Sequence, residues 1–283
     1  MTVLAALTES RPMKIAALVV TYHPDAVLLR SNIAAFVNDV DEVIVWKNSP
    51  ESIDCLNEWC QKITFMGTGH NDMIALPVNR AMDYCRSKHY DFLLTMDQDS
   101  CWQDFHGFVD TVMAFPYDDK VGIYAPNVNN YLKDPSIAFK DIEWVIQSGM
   151  LINLRAVESL GGFREDYGIY GIDEEYCHWL RLNGKKVRSF TNFHLVQRYG
   201  DAQKSRFGFY VFNYSPFVRF HLIRNMIWMK REFPKSTITR RILHVIFDNY
   251  RDILLVESDK FSKAKAFTKG ILHGCFKRIP SRR

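Results

Sequence analysis

The chain has 283 residues, of which 47% are hydrophobic, so it can bury a sizeable core in one large domain with an appendage. No stretch approaches the ~18 consecutive apolar residues of a membrane-spanning helix. The apolar start Met1–Leu7 lacks the basic residues of a signal peptide. Six cysteines without a CxxC pair argue against a disulfide framework and a zinc site, and favour reduced thiols in a cytoplasmic protein.

Charge is distributed unevenly along the chain. Residues 230–283 contain 14 Lys or Arg against 5 Asp or Glu, whereas the preceding residues contain 22 against 27. A basic end on an acidic body predicts an anionic partner, either a membrane surface or a nucleic acid. No nucleic-acid-binding module is recognisable, so we expect no nucleic acid. Apolar residues recur at helical spacing near this end, which predicts an amphipathic helix that docks on the body or lies on a membrane: Phe261, Ala264, Phe267, Ile271, Leu272 and Cys275.

The first half of the chain alternates apolar strands with helical patterns. The predicted elements are, in order, a strand at 14–20, a helix capped by Asp25, a strand at 43–46, a short helix at 52–60, a strand at 63–65, a helix at 73–87 and a strand at 91–96. Unbroken apolar strands separated by helices predict a parallel sheet covered on both faces. Ligands of such sheets bind at the carboxyl ends of the strands, where Thr21, Asn48 and Asp97 fall.

The second half mixes strands, an irregular stretch and helices. Strands are predicted at 121–125 and 148–152, with a polar, irregular stretch at 127–140 between them. A helix is predicted at 173–182, closed by Asn183 and Gly184, and the pattern becomes all-helical after Ser215. We therefore divide the chain into an α/β domain at 13–210 and a helical, basic region at 211–283.

Two carboxylates, Asp97 and Asp99, follow the strand at 91–96. At i and i+2 on an extended segment they project to the same side. An acidic pair is costly there unless it is neutralised, and the usual partner is a divalent cation shared with a phosphate. The pair predicts either a metal–diphosphate site or merely solvated loop residues.

A second acidic cluster, Asp173-Glu174-Glu175, begins the helix at 173–182. Carboxylates at a helix start interact favourably with the helix dipole, so simple N-terminal stabilisation is one interpretation. The cluster, however, follows the glycine- and aromatic-rich segment 161–172. A partly dry setting raises carboxylate pKa values and suits a general base, which is the second interpretation.

Taken together, the motifs resemble the inverting GT-A glycosyltransferases of family 2, over about residues 14–205. They occur in the family's order: Thr21-Tyr22, Asp97-Gln98-Asp99, Ser148-Gly149-Met150-Leu151-Ile152, Gly161-Gly162-Phe163 and Asp173-Glu174-Glu175-Tyr176-Cys177. The last motif and the later Arg224-Asn225 are most similar to the bacterial rhamnosyltransferase group. The resemblance implies a Rossmann-like, mostly parallel GT-A sheet with helices on both faces, and residues 13–210 as the nucleotide-sugar-binding and catalytic domain.

The resemblance also implies a reaction and roles for the residues. A sugar would move, with inversion, from a nucleotide-sugar to a hydroxyl of a lipid-linked or surface glycan, assisted by Mg²⁺ or Mn²⁺. Asp173 would be the general base, with Glu174 as its nearest rival. Asp99 would bind the metal, with Asp97 and His194 as further contacts. The residues expected to bind the donor are Thr21, Tyr22, Asn48, Asn79, Asp97, Gln98 and Asp99.

Three departures from the family pattern leave the donor open. Lys47 stands where relatives carry Asp, and Gln197 stands where they carry a His before Gly-Asp. His194 lies three residues earlier and could substitute for that His. Asn79 lacks the Asn-x-Gly that usually precedes it. The donor could be dTDP-rhamnose, a UDP-hexose or UDP-galactofuranose, and a catalytically impaired binding member is a further alternative.

We expect the acceptor at the cytoplasmic face of the cell membrane, because a peripheral location there gives the basic region a role. A homo-oligomer is compatible with the sequence. A nucleotidyltransferase would need a glycine-rich, Lys- or Arg-containing signature after the first strand, and residues 21–24 do not form one. A glycan- or nucleic-acid-binding protein without activity is the non-enzymatic alternative.

Overall fold

The computed structural model describes residues 13–115, 117–134, 136–197 and 203–282. The strands are β1 Ile15–Thr21, β2 Glu42–Lys47, β3 Ile63–Met66, β4 Phe92–Asp97, β5 Cys101–Trp102, β6 Val121–Val128, β7 Phe139–Asp141, β8 Met150–Asn153, β9 Lys186–Val196, β10 Gln203–Lys204 and β11 Tyr210–Val211. The helices are α1 Ala26–Ala34, α2 Ala75–Ser87, α3 Phe105–Ala114, α4 Ile172–Leu182, α5 Pro216–Glu232, α6 Ile238–Leu255 and α7 Lys260–Phe276.

In these ranges nine strands form one sheet, in the order β3-β2-β1-β4-β8-β6-β9-β5, with β7 pairing with β9. β1 is parallel to β2 and β4, β2 is parallel to β3, and β6 is parallel to β9. β8 runs antiparallel between β4 and β6. The predicted mostly parallel sheet is confirmed. Because of these directions, the carboxyl ends of β1, β2, β4 and β9 and the start of β8 lie along one edge.

Helices cover both faces of the sheet, as predicted. One apolar cluster joins the sheet to α1 and α3, through side chains such as Leu29 and Phe108. The cluster on the opposite face joins it to α2, α4 and α5, through side chains such as Met82, Tyr176 and Met226. The predicted helical C-terminal region is also present, and its first helix contributes to the core beneath the sheet.

Local elements agree with the predictions to different degrees. Asp25 caps α1 by accepting hydrogen bonds from the N–H groups of Val27 and Leu28, each at 2.9 Å. The helix predicted at 52–60 is a shorter 3₁₀ helix, Asp54–Trp59. The stretch predicted as irregular contains the end of β6 and the edge strand β7, because β7 finds its partner only through non-local pairing with β9.

The C-terminal helix α7 docks on α5 through only part of the stripe predicted from its apolar residues. Phe267 is buried as predicted, whereas Phe261 is 80% exposed and Leu272 is 54% exposed. The buried face of α7 is instead completed by Gly270 and Gly274. A Cβ atom on Gly270 would lie 2.6 Å from the carbonyl oxygen of Phe220 on α5. Among the described residues, no helix has both the length and the apolarity needed to cross a bilayer.

We predict that Gly270→Ala destabilises the protein by roughly 1–3 kcal/mol, because the added methyl group forces α5 and α7 apart. The higher helix propensity of alanine offsets up to about 1 kcal/mol of that cost. Urea denaturation measures the free energy of unfolding. Lys265→Ala, on the exposed side of α7, is the control and should unfold like the wild type. A Gly270→Ala protein as stable as the wild type would contradict the close packing of the two helices.

Candidate functional site

The two acidic clusters of the sequence meet at the carboxyl edge of the sheet. Asp97 ends β4, and the antiparallel strand β8 places the preceding residues Gln147 and Ser148 beside it. The Ser148 hydroxyl oxygen accepts the backbone N–H of Asp97 at 3.1 Å. The backbone N–H of Gln147 donates to Asp173 Oδ2 at 3.2 Å. Two consecutive residues thus connect the acidic pair to the start of α4.

Asp97 lies in an environment that disfavours its charge. Burial, together with the nearby carboxylates of Asp99 and Asp173, raises the pKa of Asp97 to about 7, although the hydrogen bond from Gln197 lowers it. Three acidic groups therefore share one small region. A bound cation would stabilise their ionised forms.

Gln197, at the position where the resemblance gives a His, contacts Asp97 directly. Its Nε2 donates to Asp97 Oδ2 at 3.1 Å, and its Oε1 accepts from the hydroxyl of Ser100. Ser100 is in turn 2.7 Å from the hydroxyl of Ser148. The side chain of Asn129 bonds both backbone groups of Gln197, each at 3.0 Å. The amide is therefore held in place to orient Asp97. The Gly200 and Asp201 that follow lie outside the described residues.

Asp173 and Glu174, the two candidates for the base, have different surroundings. Burial raises the pKa of Asp173 to about 6, and the N–H groups of Glu174 and Gln147 oppose the rise. Glu174 accepts a 2.6 Å hydrogen bond from Arg241 and lies 3.6 Å from His178. Although burial alone would raise it, these contacts lower the pKa of Glu174. Of the two, Asp173 is the better proton acceptor near neutral pH.

The third carboxylate of the cluster, Glu175, is buried in the core. It pairs with Arg282 near the end of the chain, which also donates to the carbonyl of Gly162. The Arg282 guanidinium lies 4.8 Å from the ring of Trp179. Burial raises the pKa of Glu175 to about 7 despite this ion pair. Its role is to attach the C-terminal segment to α4.

Near β1, the predicted donor-binding residues Thr21, Tyr22 and Gln98 hold strand ends together. The Gln98 side chain accepts from the N–H of Tyr22 at 2.8 Å and donates to its carbonyl at 3.0 Å. The Thr21 hydroxyl donates to the carbonyl of Trp46 at 3.0 Å. The ring of Tyr22 is half exposed and is the group here with free surface for a ligand.

Asn48 and Asn79 also use their amides within the fold. Asn48 donates to the carbonyl of Met73 at 2.7 Å and accepts from the N–H of Asp72 at 3.0 Å, which closes the loop after β3. Asn79 bonds both backbone groups of Phe163, at 2.7 and 2.9 Å. These contacts position the loops around the site, and a role of Asn48 and Asn79 in binding a donor stays a prediction.

His194, the third predicted metal contact, lies half-buried on β9, and its Nδ1 makes no hydrogen bond within the described structure. No group of three or more His, Cys, Asp or Glu side chains is arranged to hold a metal among the described residues, which include Asp97, Asp99 and His194. The donor set of Asp97 and Asp99 nevertheless fits a hard cation such as Mg²⁺ or Mn²⁺, which takes carboxylate oxygens together with phosphate and water oxygens.

A cavity of about 540 Å³ opens beside these carboxylates. Its polar end carries Asp97, Asp173 and Glu174, and α5 provides an apolar wall with Leu222 and Met226. A second cavity of about 530 Å³ adjoins it. The two cavities share three lining residues: Trp144, Ile146 and Arg241.

Sequence reasoning missed Arg241, Trp144 and Gln147 as site residues. Arg241 bonds Glu174 and lies 5.2 Å from the ring of Trp144, so it forms part of the wall between the cavities. In the sequence it is one of two adjacent arginines on a basic helix, and nothing distinguishes it from a surface charge. Gln147 acts through its backbone N–H, which no side-chain pattern reveals.

Solved structures with the same fold are glycosyltransferases. Residues 1–349 of S. aureus TarS, in complex with UDP-GlcNAc, align with a TM-score of 0.59 at 15% identity, over 92% of this chain and 81% of that one. GalNAc-T7, with UDP, GalNAc and Mn²⁺, aligns with a TM-score of 0.59 at 10% identity, over 79% of this chain. The aligned region spans 48% of the GalNAc-T7 chain. No protein-family model and no curated protein matches the sequence. These similarities establish the GT-A fold.

We predict that Asp97→Asn stabilises the metal-free protein at about pH 8 but not at about pH 4. The folded-state pKa of about 7 exceeds the ordinary 3.8, so folded Asp97 holds a proton that the unfolded chain releases, and the free energy of unfolding falls as pH rises between these values. The gain above the folded pKa should be roughly 1 kcal/mol, allowing for solvent screening. Thermal unfolding at both pH values measures it.

The matched control is Asp83→Asn, on the exposed face of α2, which should show little difference between the two pH values. Mn²⁺ should stabilise the wild type near pH 8 and fail to stabilise Asp97→Asn. Equal stabilisation of both proteins by Mn²⁺ would show that the ion binds elsewhere.

Proposed function

We propose that this protein is an inverting glycosyltransferase that moves a sugar from a nucleotide-sugar donor to a hydroxyl of a glycan acceptor. One observation carries the proposal. Asp97, Asp99 and Asp173 gather beside a cavity at the carboxyl edge of a GT-A sheet. This is the edge where open α/β sheets bind their ligands, and structures with this fold contain UDP or UDP-GlcNAc.

At the donor end of the site, Asp97 and Asp99 would hold Mg²⁺ or Mn²⁺, and the ion would offset the negative charge of the departing nucleoside diphosphate. Gln197 and Ser148 keep Asp97 oriented through one side-chain and one backbone hydrogen bond. The half-exposed ring of Tyr22 gives the nucleotide a surface to pack against.

At the acceptor end, Asp173 would take the proton of the attacking hydroxyl. With a pKa of about 6 it is ionised near neutral pH and still basic enough to accept that proton. Glu174 stays ionised through Arg241 and supports the site without exchanging a proton. A single displacement opposite the leaving group inverts the anomeric carbon, so one carboxylate base suffices.

For the donor we propose dTDP-rhamnose, on the strength of the resemblance to the rhamnosyltransferase group. UDP-hexoses and UDP-galactofuranose are the alternatives, because Lys47 and Gln197 depart from the family pattern. For the acceptor we propose a lipid-linked or surface glycan at the cytoplasmic membrane face. The second cavity, which shares Trp144 with the first, has room for acceptor residues beyond the one that reacts.

A thermal-shift screen of nucleotide sugars, with and without Mn²⁺, tests the proposal. A donor that binds the folded state alone raises its stability by about 2.7 kcal/mol at a hundredfold excess over Kd. We expect one class of donor to stabilise the protein in the presence of Mn²⁺, with dTDP-rhamnose ahead of UDP-GlcNAc and UDP-galactofuranose. Stabilisation by none of them would contradict the proposed function.

We predict that Asp173→Asn lowers kcat by about 10²–10⁴-fold, because an amide cannot accept the proton of the acceptor hydroxyl. The donor with Mn²⁺ should still raise the unfolding temperature of the variant, because Asp97 and Asp99, which would hold the ion, are intact. The matched variant Glu174→Gln, next in the chain, should retain most of its kcat. The assignment of the base is wrong if Glu174→Gln abolishes turnover while Asp173→Asn preserves it.

A further inference from the structure

One end of the molecule presents large apolar side chains to solvent. The hairpin β10–β11 exposes 52% of Phe207 and 62% of Tyr210, the last turn of α6 exposes 62% of Leu254, and the first turn of α7 exposes 80% of Phe261. Phe212 and Leu255 are exposed beside them. We call these six side chains the apolar end. Such a concentration of exposed apolar area on a soluble surface marks an interaction site.

Direct contacts join the hairpin to the helical turn. The guanidinium of Arg251, one turn before the end of α6, lies 3.9 Å from the ring of Phe209. Lys263 at the start of α7 donates to the side chain of Asn213 at 2.5 Å. The two exposed groups of side chains therefore belong to one surface.

A buried ionic cluster fixes this surface in place. Glu257, in the turn, pairs with Arg219 of α5 at 2.5 Å and with Lys263 of α7 at 3.1 Å. All three side chains are buried. Arg219 also donates to the carbonyl of Tyr214 at 3.2 Å. These buried contacts attach the turn between α6 and α7 to α5, and they fix the positions of the helix ends that carry Leu254 and Phe261.

The charges around the apolar end are predominantly positive. Four exposed cations lie within four residues of its members along the chain: Lys204, Arg206, Lys260 and Lys265. The opposing acidic groups are the exposed Asp259 and the half-exposed Asp248, which pairs with Arg251. Nearby Asp252 is buried and paired with Arg251. Aromatic and aliphatic side chains mixed with Lys and Arg suit the boundary between anionic headgroups and acyl chains.

We propose that the apolar end docks on an anionic lipid bilayer, with Phe207, Tyr210 and Phe261 inserted at the headgroup level. Tyr214, three residues after β11, connects this surface to the site. Its hydroxyl lies 3.2 Å from the hydroxyl of Tyr170, which lines the first cavity. A lipid-linked acceptor held in the same bilayer would then present its glycan to Asp173. Only this last step rests on the proposed function.

Vesicle cosedimentation of the full chain tests the proposal. The vesicles contain phosphatidylcholine with about 30 mol% phosphatidylglycerol, compared with phosphatidylcholine alone. We expect the wild type to bind the anionic vesicles, less strongly at high salt. The triple variant Phe207→Ser/Tyr210→Ser/Phe261→Ser should lose about tenfold or more in affinity. Phe261→Ser alone, at the most exposed position, should show a smaller loss in the same direction.

The matched control replaces three exposed apolar residues on other surfaces: Val27→Ser, Phe65→Ser and Leu182→Ser. It should bind like the wild type. A second comparison, Leu272→Ser/Phe276→Ser, removes exposed apolar groups at the far end of α7. The proposal is overturned if the wild type does not bind, if the apolar-end variants bind unchanged, or if the Leu272/Phe276 variant is the one that loses affinity.

Circular dichroism and thermal unfolding confirm that each variant is folded. The donor-induced thermal shift separates this proposal from the proposed function. A variant that loses vesicle binding should keep that shift. If the wild type binds vesicles but no donor stabilises it, the proposed function fails while the docking surface stands.

Discussion

The site depends on holding like charges together. Burial disfavours the charge of Asp97, and the carboxylates of Asp99 and Asp173 repel it as well, so that its pKa is raised. The fold maintains this arrangement through backbone contacts on each side: Ser148 fixes the end of β4, and Gln147 fixes the start of α4. The resulting concentration of negative charge favours a cation, and a cation in turn favours a diphosphate. In the proposed function, relief of this electrostatic repulsion by the cation would contribute to the affinity for the donor.

The sequence predicts those elements of the fold that depend on residues close together in the chain. The strands β1, β2 and β4 are continuous apolar runs bounded by turn residues, and Asp25 is a helix cap that the sequence displays directly. The acidic pair could be placed at a strand end for the same reason. The insertion of β8 between β4 and β6 depends on pairing between distant segments. That insertion brings Gln147 to Asp173, so the sequence suggested the carboxylates of the site but not the groups that hold them.

The helical region shows a different limit of sequence reasoning. The pattern of apolar residues predicts that α7 is a helix but identifies only part of its buried face, because close helix packing here also uses glycines, which carry no hydrophobic signal. Phe261 and Leu272, which the pattern would bury, are exposed. Two charged residues were misjudged in the opposite sense. Arg219 and Arg282 look like surface cations in the sequence, but in the structure each pairs with a buried glutamate.

The start of α4, which carries the proposed base, is held by the helical region from several directions. On α5, Arg224 and Asn225 donate to the carbonyl of Tyr167, just before the helix, at 3.1 and 2.9 Å. Arg241 on α6 binds Glu174, and Arg282 binds Glu175 on the inner side. Asp173 lies between these attachment points and receives its own hydrogen bonds from backbone groups alone. Since α6 also carries Leu254 and Leu255 of the apolar end, contact with a membrane and the position of the base would be coupled through α6. The helical region is therefore part of the site rather than an appendage to it.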